Sequence, residues 1–353
     1  MASQDNELTR LCATVQANCA ISDARFARNY SLCVYLLRMR EYYRWQYNIP
    51  LGKHMPTDVV RDWVTAKEMH WDDIEEDDYQ PLSFAGNRVD PFDSVAVNAA
   101  LQGKGLIYSA GIGRMGQPHF VLAKHIATTH PDNHTICVET GIEKARDIIT
   151  QPAMAIGNTV IIRHDCISRL LWQMIEEWQS NQTPGPVARV ARHYNLVDNW
   201  QLDQAIHAAT EDLCNVFRAH EFGEVEAGQL LGKPWQDMAV NMIGTRGELY
   251  VRAVRDLLAD SLHTLPMILE RDAGHYLDFW LAGIQGVRLQ LLDKTPLDQM
   301  RMTDCSDTRL AQLALLQESA SSHWQAVAGS MLEAYAIAGS RIDFETVTIA
   351  ANG

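Results

Sequence analysis

His220 and Glu224 stand four residues apart on a segment whose neighbours are apolar at helical intervals. Trp200, Leu202, Ile206, Ala209, Leu213, Val216, Phe217, His220 and Glu224 step by three and four residues, as one face of an amphipathic helix does. An imidazole and a carboxylate on that face point inward, where each must be paired, hydrogen-bonded or bound to a metal. A His and a Glu at i and i+4 can reach one metal ion, with further ligands supplied by other helices. Two residues fit that need. Glu41 lines up with Tyr30, Val34, Leu37 and Trp45, and His323 with Leu316, Val327 and Ala334. The expected ligand set is therefore Glu41, His220, Glu224 and His323, for iron, manganese or zinc.

Helical di-metal sites use paired Glu-x-x-His motifs, and none is complete here. The nearest approximations are Asp260-x-x-His263 and Asp272-x-x-His275. Periodicity puts both on solvated faces. Tyr276, Leu277, Trp280, Ile284, Val287 and Leu291 define the buried side of their segment and leave out His275 and Asp278, while His263 falls near Glu248, Arg252 and Arg255. The row Asp203, His207 and Glu211 lies opposite His220 and reads as a wet face.

Two other readings use the same inward residues. In a purely structural one, Glu41 pairs with Arg38 or Arg44, Glu224 with an arginine from another helix, and His220 is a neutral core histidine bonded to a carbonyl. In the other, a buried Glu and the His share protons as a metal-free acid/base site. The stretch HEFGE at 220–224 departs from the HExxH zinc motif at its last position, and Gly223 is a poor helix residue that reads as a helix end.

Gly111, Gly113 and Gly116 form GxGxxG after the apolar run LIYSA, with Glu139 near the end of the next apparent strand. That is the outline of a nicotinamide or flavin dinucleotide turn, with Arg114 at its tip able to meet an anion. Pro118 would fall in the first turns of the helix this motif requires, and HFVLA favours strand. A hairpin or loop between two strands explains the glycines without a cofactor. No GxSxG turn, phosphate loop or CxxC pair is present.

The elements that must position these groups are mostly helices. Residues 24–47 read as a helix introduced by Ser22 and Asp23 as caps, and a second starts after Thr57 and leads into a solvated acidic run, Asp72 to Asp78. From 103 to 165 the texture changes to β-type runs, GLIYS, HFVLA, HTICV and NTVII, with one crossing helix around Glu143 to Ile149. Helix resumes at Asp165, is interrupted by NQTPGP, and continues over 198–222, 247–265, 272–292 and 308–337. The fold class is mainly α, a multi-helix body with a small β-containing insert near residues 103–163. The expected regions are 1–102 helical, 103–165 the insert, and 166–353 helical, sharing one core with 1–102. The aromatic residues Tyr42, Tyr43, Trp45, Trp172, Trp178, Phe279 and Trp280 supply core or line a pocket.

Of 353 residues, 47% are hydrophobic and 21% charged, the proportions of a globular chain. A formal net charge of −14 opposes binding to nucleic acid or anionic membrane. Seven scattered cysteines without a CxxC pair read as reduced thiols, and neither a leader pattern nor a membrane-length apolar run is seen, so cytoplasm is the expected compartment. The function expected is a metal-dependent helical enzyme, an oxidoreductase acting on a small molecule. The alternatives are a non-catalytic scaffold or protein-interaction protein, and a dinucleotide-binding oxidoreductase using Gly111–Gly116.

Overall fold

The computed structural model describes residues 2–84, 87–132, 134–149, 151–197 and 199–352, and the fold is mainly α with a small β-containing insert. A five-stranded sheet has the order β3-β4-β5-β7-β6, from β3 (Leu106–Ile112), β4 (Pro118–Thr129), β5 (Ile136–Ala145), β6 (Ala153–Ile156) and β7 (Thr159–Arg163). A separate hairpin joins β1 (Leu82–Phe84) to β2 (Asn87–Val89). The chain divides into two compact units. One comprises residues 1–129, 138–152 and 163–173, and the other 130–137, 153–162 and 174–353.

In the first unit, α1 (Ala2–Phe26), α2 (Leu32–Gln46), α3 (Thr57–Ile74) and α4 (Ser94–Leu101) accompany the strands. Leu11, Val15 and Cys19 of α1 enter one core with Leu82, Val97, Leu101, Tyr108, Phe120 and Leu122. Cys19 Sγ donates to the Phe120 carbonyl at 3.0 Å and Ser22 Oγ to that of Pro118 at 2.5 Å, tying α1 to β4. The helix expected over 24–47 is in fact two. Ser22 and Asp23 lie inside α1, and Ser31, in extended conformation, starts α2. They do not cap a helix because their side chains are spent on tertiary bonds: the Asp23 carboxylate accepts the Ile148 N–H at 3.0 Å. The same bonds remove the helix expected around Glu143–Ile149. Residues 143–145 complete β5, and Gln16 Oε1 accepts the Arg146 N–H at 3.1 Å, so those amides serve α1 instead of a helical ladder. The acidic run is solvated, Asp72, Asp73, Glu76, Asp77 and Asp78 all being exposed.

In the second unit, β6 and β7 pair antiparallel, from Ala153 opposite Ile162 to Ile156 opposite Thr159. α5 (His164–Asn181) has residues 164–173 in the first unit and 174–181 in the second, and α6 (Pro186–His193) starts where the proline-rich loop was expected, its proline in the first turn where no amide is needed. α7 (Leu202–Asn241) follows, kinked at Gly232, whose φ of 65° is left-handed. α8 (Arg246–Ala259) passes through a π-helical turn at Asp260–Thr264 into α9 (Leu265–Arg271). The expected helix over 272–292 is split into α10 (Gly274–Gly283) and α11 (Gly286–Leu291). α12 (Lys294–Met302), α13 (Ser306–Ala338) and α14 (Phe344–Asn352) complete the chain. Ile206, Ala209, Leu213 and Val216 are buried as the periodicity requires, but Trp200, ahead of the helix, is 89% exposed. Among the described residues no helix is long and apolar enough to cross a membrane.

Candidate metal centre

Helix α7 does not end at Gly223. It continues because glycine there lets α7 meet the chain leaving α8: a Cβ on Gly223 would lie 2.2 Å from the Ala259 carbonyl oxygen. That approach brings His220, Glu221 and Glu224 against Asp256 and Asp260. The π turn adds a residue to its loop of backbone and shifts the helical phase, so that Asp260, on a face where periodicity predicted solvent, is buried.

Asp260 is the hub. One carboxylate oxygen accepts from His220 Nδ1 at 2.7 Å and Thr264 Oγ1 at 2.9 Å, and the other from Trp280 Nε1 at 2.8 Å and from Arg288 Nη2. Burial alone would raise its pKa, but the Arg288 and His220 charges hold it well below the carboxylate range. For His220 burial favours the neutral ring, and the Asp260 charge outweighs it, lifting the pKa to about 9. With Nδ1 fixed on Asp260, Nε2 is the atom left to face Glu224, whose Oε1 is 3.8 Å away.

Glu224 Oε1 accepts from Arg255 Nη2 at 2.6 Å. Burial works against its ionisation, but Arg255 and His220 hold its pKa down. Asp256 lies next to it and is shifted the opposite way, raised by burial and by the Glu224 charge. A carboxylate oxygen of each lies within 4.8 Å of the other. Glu221 completes the group. It is 5% exposed, its Oε2 has no hydrogen-bond partner, and burial followed by the Glu224 charge pushes its pKa to about 8.

Neighbouring carboxyls driven apart in this way, Glu221 and Asp256 toward the protonated form and Glu224 and Asp260 toward the ionised one, are what acid/base and metal sites need. Among the described residues, His220, Glu224 and Asp256 form the group whose ligand atoms all lie within 4.8 Å of one another. The donors fit a divalent cation. His220 presents one nitrogen while a carboxylate holds the other, the usual orientation of a metal-ligating imidazole.

Of the four expected ligands, the structure brings His220 and Glu224 together and leaves out Glu41 and His323. Glu41 belongs to the first unit, where its carboxylate is taken by Arg44 at 3.2 Å and Arg169 at 3.3 Å, as the structural reading had it for Arg44. His323 is half-buried with its ring edge-on to Trp324, 4.7 Å between centroids. Periodicity cannot show that two helical stripes face different neighbours. Asp256, Asp260 and Glu221 were not chosen from sequence. Asp256 and Asp260 carry an i, i+4 signal, but their inward aim is set by where the end of α8 meets α7, which residue spacing does not record. Glu221 sits one residue, about 100°, from His220. Asp278, assigned to the wet side, is buried between arginines, whereas the row Asp203, His207 and Glu211 is exposed as expected. His263 pairs with Glu226 at 2.6 Å near the surface.

Gly113 and Gly116 lie in the turn of the β3–β4 hairpin, while Gly111 is within β3 opposite His119 and Pro118 opens β4. No helix follows, so the backbone lacks the helix N-terminus that binds pyrophosphate in a dinucleotide fold. Gly113 serves packing: a Cβ there would be 2.2 Å from His119 Nε2. The side chain of Arg114 lies outside the described residues.

Residues 10–163 match the N-terminal domain, and residues 168–351 the C-terminal domain, of a family of unknown function (DUF6866). No curated protein and no solved structure matches the chain.

Proposed function

The chain belongs to the DUF6866 family, and from its own residues we propose that it is an enzyme acting on a small molecule at a divalent metal held by His220, Glu224 and Asp256. The observation that carries this reading is the convergence of those three ligand atoms beside the buried Glu221 carboxyl, whose Oε2 has no hydrogen-bond partner among the described residues. A buried carboxyl oxygen left without a hydrogen bond costs stability, which a purely structural ion-pair network gains nothing from. Asp260 fixes the His220 ring, with Trp280, Thr264 and Arg288 fixing Asp260 in turn. Arg255 holds Glu224 and limits the site's negative charge. Glu221 Oε2 is placed to hold a proton near neutral pH and to pass it to or from a ligand oxygen.

A cation bound there supplies Lewis-acid polarisation or, if it is iron or manganese, electron transfer as well. One imidazole and two carboxylates suit iron(II), manganese(II) and zinc(II) alike, so the oxidoreductase reading rests on which metal is found. All seven cysteines are free thiols, which agrees with the proposed cytoplasmic location.

The test is elemental analysis of protein purified without affinity metal, with His220→Ala and Glu224→Ala alongside. One equivalent of iron, manganese or zinc, lost in both variants while circular dichroism stays unchanged, is the expected result. A metal-free protein that takes up none of the three on addition, and whose variants only lose stability, would leave the scaffold reading.

A further inference from the structure

A second cluster of charge lies in the same unit, around α6, α10 and the start of α13, and the His/carboxylate chemistry does not use it. A cavity of about 300 Å³ opens there. Arg189 and Arg309 are both buried in its wall and one carboxylate serves both: Arg189 Nε donates to Asp278 Oδ1 at 2.8 Å, and Arg309 Nη1 to the same oxygen at 2.5 Å. Arg189 is otherwise satisfied, by the Arg301 carbonyl at 2.9 Å, the Met300 carbonyl at 3.3 Å and the exposed Asp304 at 3.6 Å. Arg309 is not. Its Nε has no hydrogen-bond partner among the described residues.

Of the remaining lining Arg192 adds positive charge, while His275 stands 3.5 Å from the Asp212 carboxylate. Arg192 is exposed at the mouth with no carboxylate in ion-pair range among the described residues, and His193 stacks on His275 with 4.4 Å between ring centroids. Arg192 and His193 also suit the C-terminal turn of α6, where basic residues oppose the helix dipole, but that leaves Arg309 unexplained. Three guanidiniums thus face one buried and one exposed carboxylate, a local positive excess in a chain whose net charge is −14. Gly274 and Ser306 open α10 and α13, so two helix N-termini meet the cavity. Gly274 lets α10 approach the start of α13 closely, since a Cβ there would lie 2.3 Å from Ser306 Oγ and 3.0 Å from Arg309 Nη2.

A buried guanidinium that shares its counter-ion and keeps a free N–H is costly unless an anion completes it. Arginine forks and helix N-termini together match the several oxygens of a phosphate better than the two of a carboxylate. We propose that this cavity binds the phosphate group of a small phosphorylated molecule, with Arg309 and Arg192 as its principal anchors. The volume admits a phosphate and a few further atoms, not a macromolecule. The inference stands apart from the metal reading, because none of its residues belongs to the His220 cluster.

Isothermal titration calorimetry of the full chain with glycerol 3-phosphate, inorganic phosphate and acetate at matched ionic strength tests it. The expected order is glycerol 3-phosphate, then phosphate, then acetate, the first saturable with one site. Arg192→Ala, at an exposed position, should weaken phosphate binding about tenfold or more, as loss of a charge-assisted bond does. Arg309→Lys, which keeps the charge but loses the fork, should weaken it too. His220→Ala should leave it unchanged, and Arg192→Ala should leave metal content unchanged. No saturable binding by either phosphate compound, acetate binding as well as phosphate, or an affinity untouched by Arg192→Ala in a folded protein would each overturn the proposal. Binding of inorganic phosphate with exclusion of glycerol 3-phosphate would overturn its small-molecule part.

Discussion

Glu221 and His220 together make stability fall as the solution becomes alkaline. Glu221 carries its proton in the folded state up to about pH 8 but loses it near 4.5 once unfolded, so raising the pH between those values removes stability. His220 acts in the same direction between its ordinary 6.5 and about 9, since the folded state holds the extra proton there too. Denaturant melts of metal-free protein at pH 5 and pH 8 should therefore differ. Glu221→Gln, neutral at every pH, should flatten the slope and raise stability at pH 8 by about 2 kcal/mol relative to wild type, part of the full shift being shared with Glu224. An unchanged slope would mean that Glu221 is ionised in the fold. Asp260→Asn should cost about 3–5 kcal/mol, because Arg288 keeps a buried charge with its partner removed. It should also bring the His220 imidazole down from about 9, readable by NMR titration of the ring protons.

At the scale of elements, the site depends on how closely α7 meets the end of α8. Gly223→Ala places a methyl against the Ala259 carbonyl, where backbone rather than a flexible side chain must give way. The expected cost is about 1–3 kcal/mol in denaturant unfolding, with loss of the metal proposed to bind at His220, Glu224 and Asp256. Retention of both would show that the helices slide apart without disturbing His220 and Asp260. The inward face of α7 was legible because Ile206, Leu213 and Val216 keep a helical period that only one secondary structure satisfies. Its partner was not. A π turn leaves no signature in hydrophobic spacing, and glycine read as a terminator is, at a helix crossing, the residue that permits contact.

Over the whole molecule, thiol reactivity gives an independent check on burial. Cys33 and Cys305 are exposed, Cys12 is half-buried, and Cys19, Cys137, Cys166 and Cys214 are buried. An aromatic disulfide reagent should label the first two rapidly, Cys12 more slowly, and the other four only on unfolding. Fast labelling of more than three thiols under native conditions would contradict the packing described above. With a net charge of −14, the chain should show no salt-sensitive retention by duplex DNA at physiological ionic strength.

What the amino-acid order determined by itself is the local: mainly helical class, the β-rich stretch, the hairpin at Gly111–Gly116, and the inward aim of His220 and Glu224. These follow from periodicity and turn chemistry, which act over one or two turns of chain. Tertiary structure alone decided which inward groups meet. Glu41 found Arg44 and Arg169, while His220 found Asp260 from a segment forty residues onward. Buried charges are stabilised by whichever counter-charge the packing brings within a few ångströms, and that distance is set by helix crossings and phase shifts that no residue spacing records.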